Sequence, residues 1–165
     1  MKEIELKIHT YGDSVLRKKS KPFNSVGNAE KVLAEKMAKL MYSSGGIGLA
    51  APQVGINKQL VIVDVGQGLF KLFNPKVKTK TGSESIEEGC LSVPGITVKV
   101  KRPKRVFIEG INELNKKVSF WADDLFARAL QHEIDHLKGK LIVDYANIFK
   151  KLGIKSKFKK SKRLE

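Results

Sequence analysis

Two histidines four residues apart, His132 and His136, stand with Glu133 in the segment Gln131-His132-Glu133-Ile134-Asp135-His136. On a helix this spacing puts both imidazoles on one face, close enough to share a metal ion. Glu133 then sits beside the first ligand, within reach of an activated water. Two histidines leave such a site incomplete, because a catalytic metal usually takes three protein ligands and keeps one position open. The 29 residues after His136 hold no histidine, and their only acidic groups are Asp144 and Glu165. The third ligand is therefore expected from upstream. His9 lies in the N-terminal arm; Cys90, the single cysteine, follows Gly89 and is the stronger candidate. A thiolate is a good ligand for Fe(II), Zn or Co, although a free cysteine is often only a small buried apolar group. The chemistry this combination suits is metal-assisted hydrolysis with Glu133 as the acid/base.

Those residues need a helix under them and a scaffold around it. Leu125, Ala129, His132 and His136 fall at steps of four, three and four, so a helix over 125–137 carries them on one face. Asp123 or Asp124 is its expected cap and Gly139 its stop. A first helix is expected over 28–42, capped by Asn28 and ended by Gly45 and Gly46. Between them, short β-rich stretches at 59–65, 69–73, 76–80, 96–100, 105–109 and 117–121 are separated by Gly, Pro and Asn. The expected fold class is α+β: short, mostly antiparallel strands surrounding a central metal-binding helix. Residues 1–149 are expected to form one catalytic domain, followed at 150–165 by a basic tail that is either frayed or a helix ordered by a partner.

At 165 residues, 41 % of them apolar, the chain is long enough for one well-buried core. A single cysteine permits no internal disulfide, which fits a reducing, cytoplasmic setting. The N-terminus has no apolar signal core, and no apolar run reaches the roughly 20 residues of a membrane span. The net charge of +15 would attract a polyanion such as RNA or an acidic membrane surface, or merely solvate the surface with lysine.

Three segments taken together resemble the motifs of the peptide deformylases: Gly46-Ile47-Gly48-Leu49-Ala50-Ala51-Pro52-Gln53, Glu88-Gly89-Cys90-Leu91-Ser92 and Gln131-His132-Glu133-Ile134-Asp135-His136. Their order matches the family's, and the resemblance runs from about Tyr11 to about Tyr145. It implies removal of the formyl group from the N-terminal formylmethionine of nascent polypeptides, with release of formate. It implies one divalent metal held by Cys90, His132 and His136, with iron native in many members and zinc, nickel or cobalt acceptable. Glu133 would carry the proton, while the Gln53 side chain and the Leu91 N–H would stabilise the oxyanion. The methionine pocket would be lined by Ile86, Leu125, Arg128, Ala129 and the aliphatic part of Glu88, with Ile47 and Gly48 bordering the peptide. Glu88 and Arg102 would form a buried ion pair. The implied protein is a monomer, with the basic tail a candidate contact to the ribosome. The chain departs from the family pattern at Ser14, where a Pro is usual, at Thr97, where some members carry Arg, and at Arg128, which brings a charge to the pocket rim.

Two other readings use the same residues differently. A zinc peptidase would share H-E-x-x-H but would normally draw its third ligand from downstream. A small RNA-binding protein with a structural metal would need a fourth protein ligand, and would leave Glu133 and Gln53 without a role.

Overall fold

The computed structural model describes residues 5–161. Helix α1 runs Asn28–Ser43 and is followed by strands β1 (Gly48–Ala50), β2 (Leu60–Val63), β3 (Phe70–Thr81), β4 (Glu84–Glu88), β5 (Val98–Arg102), β6 (Arg105–Ile111) and β7 (Lys117–Asp123). Helix α2 spans Asp124–Leu137 and helix α3 Ile148–Ser161. Five strands form an antiparallel sheet in the order β1-β2-β3-β6-β7, and β4 and β5 form a separate antiparallel pair.

Strand β2, Leu-Val-Ile-Val, is the continuous apolar run expected of a strand covered on both faces. Val61 and Val63 join Ala127, Leu130, Ile134 and Leu137 of α2, together with Val106 and Ile108 of β6 and Ala122 of β7. Leu60 and Ile62 point the other way and pack with Ala34, Met37, Ala38 and Met41 of α1 and with Phe73. The sheet is thus clasped between α1 and α2. The rest of α2 is left to face the β4–β5 pair and the 89–97 connection, which carries Cys90. This is the expected α+β architecture.

Several local expectations change. Asn28 is the first residue of α1 and not its cap; Gly27 holds that position, and its N–H donates to Glu30 Oε2 at 2.9 Å. Asp123 stands at the N-cap of α2 without a side-chain capping bond. Its carboxylate pairs instead with Arg105 at 3.2 Å. The stretches 69–73 and 76–80 belong to one strand, because Asn74 and Pro75 fall where the β3–β6 register shifts between Phe73 and Lys76. A bulge is a place where a sheet tolerates proline. Strands β1 and β4 were not anticipated. Gly139, just past α2, has φ +73°, and a Cβ there would meet the Arg17 carbonyl oxygen at 2.5 Å. Only glycine fits that turn, which packs the end of α2 onto the N-terminal segment.

The basic segment is ordered on the chain itself as far as residue 161, and residues 162–165 of the expected tail lie outside the described residues. Helix α3 crosses the expected boundary at 149/150. It buries Ile154 with Val98, Val100, Ile142 and Val143, and sets Phe158 edge-on to Tyr11 with ring centroids 5.2 Å apart. Among the described residues no helix is long and apolar enough to cross a membrane.

Candidate metal centre and cleft

Helix α2 presents His132 and His136 on one face, their rings 5.1 Å apart and inclined by 67°. The connection after β4 brings Cys90 to them. Ligand atoms of Cys90, His132 and His136 all lie within 4.8 Å of one another, with Sγ 3.5 Å from His136 Nε2. One thiolate and two imidazoles suit Fe(II), Zn, Co or Ni by donor type. His136 is fully buried, and its Nδ1 has no partner. His9 lies apart from this group, its Nδ1 3.1 Å from Asp13.

His132 is oriented through its other nitrogen. Its Nδ1 meets Glu88 Oε2 at 3.0 Å, which leaves Nε2 for a metal. Glu88 is the common anion of a buried network. Oε1 accepts from Arg102 Nε at 2.6 Å and from Arg128 at 2.7 Å, and Oε2 accepts a second Arg102 bond at 3.0 Å. Arg102 continues to Asp135 at 2.8 Å, and the Tyr145 hydroxyl donates to the same carboxylate oxygen at 2.6 Å. Burial works against the Glu88 charge, yet the bonds from His132 and Arg102 outweigh it and hold the carboxyl down to about 2. Burial likewise disfavours a charged His132, but its contacts with Cys90 and Glu88 raise it well above the ordinary imidazole range. His136 is pushed well below that range, by burial first and the neighbouring His132 charge second.

Glu133 is different. It is 5 % exposed, its Oε2 is buried without a hydrogen-bond partner, and burial raises its carboxyl to about 7. A side chain on Gly48 would collide with Glu133 Oε1. Glycine at that position is what lets strand β1 pass over the carboxylate. Gln53 is held by its own oxygen, which accepts the Ala50 N–H at 2.8 Å. Its Nε2 donates to Ser92 Oγ at 3.1 Å and lies 3.6 Å from Cys90 Sγ. Leu91 follows Cys90 directly along the chain.

These groups line one cleft of about 790 Å³. Ile47, Gly48, Gln53, Ile86, Glu88, Cys90, Leu91, Leu125, Arg128, Ala129, His132 and Glu133 all reach it, while His136 lies beneath its floor. Every residue expected at the site is therefore in or under the same cleft. Ile47, Ile86 and Leu125 are 45 %, 41 % and 53 % exposed, an apolar rim of the kind that marks a ligand site. One expectation needs amending. Arg128 does not bring a free charge to the pocket, because its guanidinium is turned into the Glu88 network and is buried. Asp135 and Tyr145, outside the expected site, support Arg102; Asp135 carries a sequence signal, three residues after His132 on the motif helix, and Tyr145 carries none.

Comparison with known proteins gives a consistent result. Residues 5–152 match the family described as polypeptide deformylase. A peptide deformylase from Halothermothrix orenii is 47 % identical over 141 residues, covering 84 % of this chain and 92 % of the relative. One from Thermodesulfovibrio yellowstonii is 42 % identical over 162 residues, 95 % and 98 % of the two chains. The crystal structure of a peptide deformylase from Legionella pneumophila superposes with a TM-score of 0.90 at 36 % identity, covering 96 % of each chain. By sequence and by fold, the chain belongs to the peptide deformylase family, enzymes that remove the formyl group from nascent peptides.

Proposed function

We propose that the chain deformylates N-formylmethionyl peptides as a metal-dependent hydrolase, with Cys90, His132 and His136 as the ligands of one divalent cation. The observation that carries this is the convergence of those three donors beside a buried carboxylate, Glu133, that has an unpartnered oxygen. A cation in that place supplies Lewis acidity, enough to make an attacking water acidic near neutral pH. Glu133 takes the proton of that water and delivers it to the leaving amine. Its buried carboxyl, pushed up to about 7, is suited to holding a proton between the two steps. Gln53 Nε2 and the Leu91 N–H flank Cys90 and donate to the oxyanion. The methionine side chain enters between Ile86 and Leu125, over Ala129. Strand β1 is the edge of its sheet, so the peptide backbone can add alongside it at Ile47 and Gly48.

Iron is the proposed native metal, in a monomer working in the reducing cytoplasm, with zinc, nickel or cobalt able to substitute. Protein purified anaerobically is expected to release formate from formyl-Met-Ala-Ser, to stop when a chelator strips its metal, and to recover on adding Fe(II). No formate release from protein shown to hold one metal per chain would sink the reading.

Ribosome attachment is proposed for the exposed lysines of α3. Deleting the helix would test it poorly, because Ile154 belongs to the core. Charge reversal at Lys150, Lys155 and Lys159, all exposed, leaves that packing alone. The triple variant is expected to lose co-sedimentation with ribosomes at low salt while its rate on a short formyl peptide is unchanged. Undiminished co-sedimentation would remove α3 from the account.

A further inference from the structure

Strand β4 forms one wall of the cleft, anchored at its end by Glu88 and exposed along the rest of its length. Among the described residues it pairs with β5 and with no other strand, and of its five residues only Glu88 is buried. A two-stranded ribbon is marginally stable unless something else fixes it. Opposite stands α2 with Leu125 and Ala129, and the space between Ile86 and these two is where the first side chain of the substrate would lie.

One side chain crosses from α2 to this ribbon at three points. Arg128 donates to Glu88 Oε1 at 2.7 Å, to the Val100 carbonyl at 2.9 Å and to the Glu84 carbonyl at 2.7 Å. Glu84 and Glu88 are the two ends of β4, and Val100 is the partner of Ile86 in the middle of β5. The guanidinium therefore grips the wall at both ends and through the strand behind it. Its planar fork is what allows three acceptors to be met at once, which a lysine ammonium on a flexible stem could not do in the same geometry.

On the reading of the chain as a deformylase, we propose that Arg128 is a positioning residue that sets the width of the first side-chain pocket. It clamps β4 against α2 and spends its own charge in doing so. The pocket then keeps its width and receives no free charge from Arg128, which suits an unbranched apolar side chain between Ile86 and Leu125. Without the clamp, Ile86 can draw away from Leu125, and a bulkier side chain gains access.

The test compares Arg128→Leu and Arg128→Lys with the unmodified chain, each loaded with the same metal, on formyl-Met, formyl-Phe and formyl-Glu tripeptides. The leucine variant keeps bulk and loses the three bonds. Its kcat/KM ratio for the methionyl over the phenylalanyl peptide is expected to fall about tenfold, mainly through KM, the size of effect a pocket of altered width produces. The lysine variant, able to keep a cation near Glu88 but not all three bonds, is expected to fall between. The unmodified chain is expected to reject the glutamyl peptide. A residue serving stability alone would lower the folded fraction and scale all rates together; an unchanged Met-to-Phe ratio in both variants overturns the proposal. So does a preference of the unmodified chain for formyl-Glu, which would mean that the guanidinium is free to meet substrate. Failure of the deformylase reading is a separate result, because then no peptide would release formate from any form.

Discussion

Replacing Glu133 with Ala is expected to lower formate release from a formyl-methionyl peptide by about a thousandfold, the middle of the range for losing a positioned proton carrier. Metal content should stay at one ion per chain. The three proposed ligand atoms come from Cys90, His132 and His136, and Glu133 is not among the donors that converge there. The fold should hold as well. Glu133 Oε2 makes no hydrogen bond, so the substitution breaks none at that atom and removes a buried group that is costly to keep charged. Glu133→Gln sharpens the result, because it keeps the shape against Gly48 and removes only the ability to take a proton. Both variants should be near-inactive with their metal in place. A rate within tenfold of normal would show that the proton travels by another route. Loss of the metal would instead make Glu133 a ligand or a support for one.

The reactive groups were legible in the sequence for a reason that did not extend to their surroundings. Cys and His are scarce here, one and three residues, and chemically distinctive, and a four-residue step on a helix has one geometric meaning. Residues 125–137 therefore announced both the helix and its reactive face. Strand β4 announced nothing. Ser85, Ile86 and Glu87 show no clean alternation, and the ribbon is held by Arg128 from a helix about 40 residues away, a contact with no local signature. Strand β1 lay hidden inside a glycine-rich segment that reads as a turn, although Gly48 is glycine because Glu133 occupies the space a side chain would need. Asn74-Pro75 looked like a break between strands because proline lacks a ladder donor, yet a register shift absorbs it within β3. Helix α3 was obscured by its lysines: Ile154 and Phe158 are enough to dock it, but they are sparse among so many charges.

The same distinction bears on the buried charges. The likeness to deformylases suggested a Glu88–Arg102 pair, whereas the structure contains five linked ionisable side chains: Arg128, Glu88, Arg102, Asp135 and His132. Glu88 is the one anion touching both guanidinium groups and the imidazole. In a low-dielectric interior an arrangement of this kind is held by mutual compensation more than by any single pair, and removing the shared member leaves the others exposed to the full cost of burial.

Glu88→Gln is accordingly expected to cause the largest loss of stability of any single change in the cleft, about 3–5 kcal/mol by chemical denaturation. Arg102 would keep Asp135, but Arg128 would keep only carbonyl acceptors for a buried positive charge. His132 would lose the carboxylate that fixes its ring, and metal affinity should fall by about 10- to 100-fold, measured by competition with a chelator at a temperature where the variant is still folded. The two readouts separate two jobs. Arg128→Leu removes one cation from Glu88 without touching the His132 contact, so it should leave metal affinity within a few fold of normal. If Glu88→Gln loses stability and yet binds metal as tightly as before, Glu88 is a counter-ion for the arginines and the orientation of His132 rests on the fold of α2. If both quantities fall together while Arg128→Leu spares the metal, a single carboxylate joins the wall of the peptide cleft to the ligand that serves its chemistry.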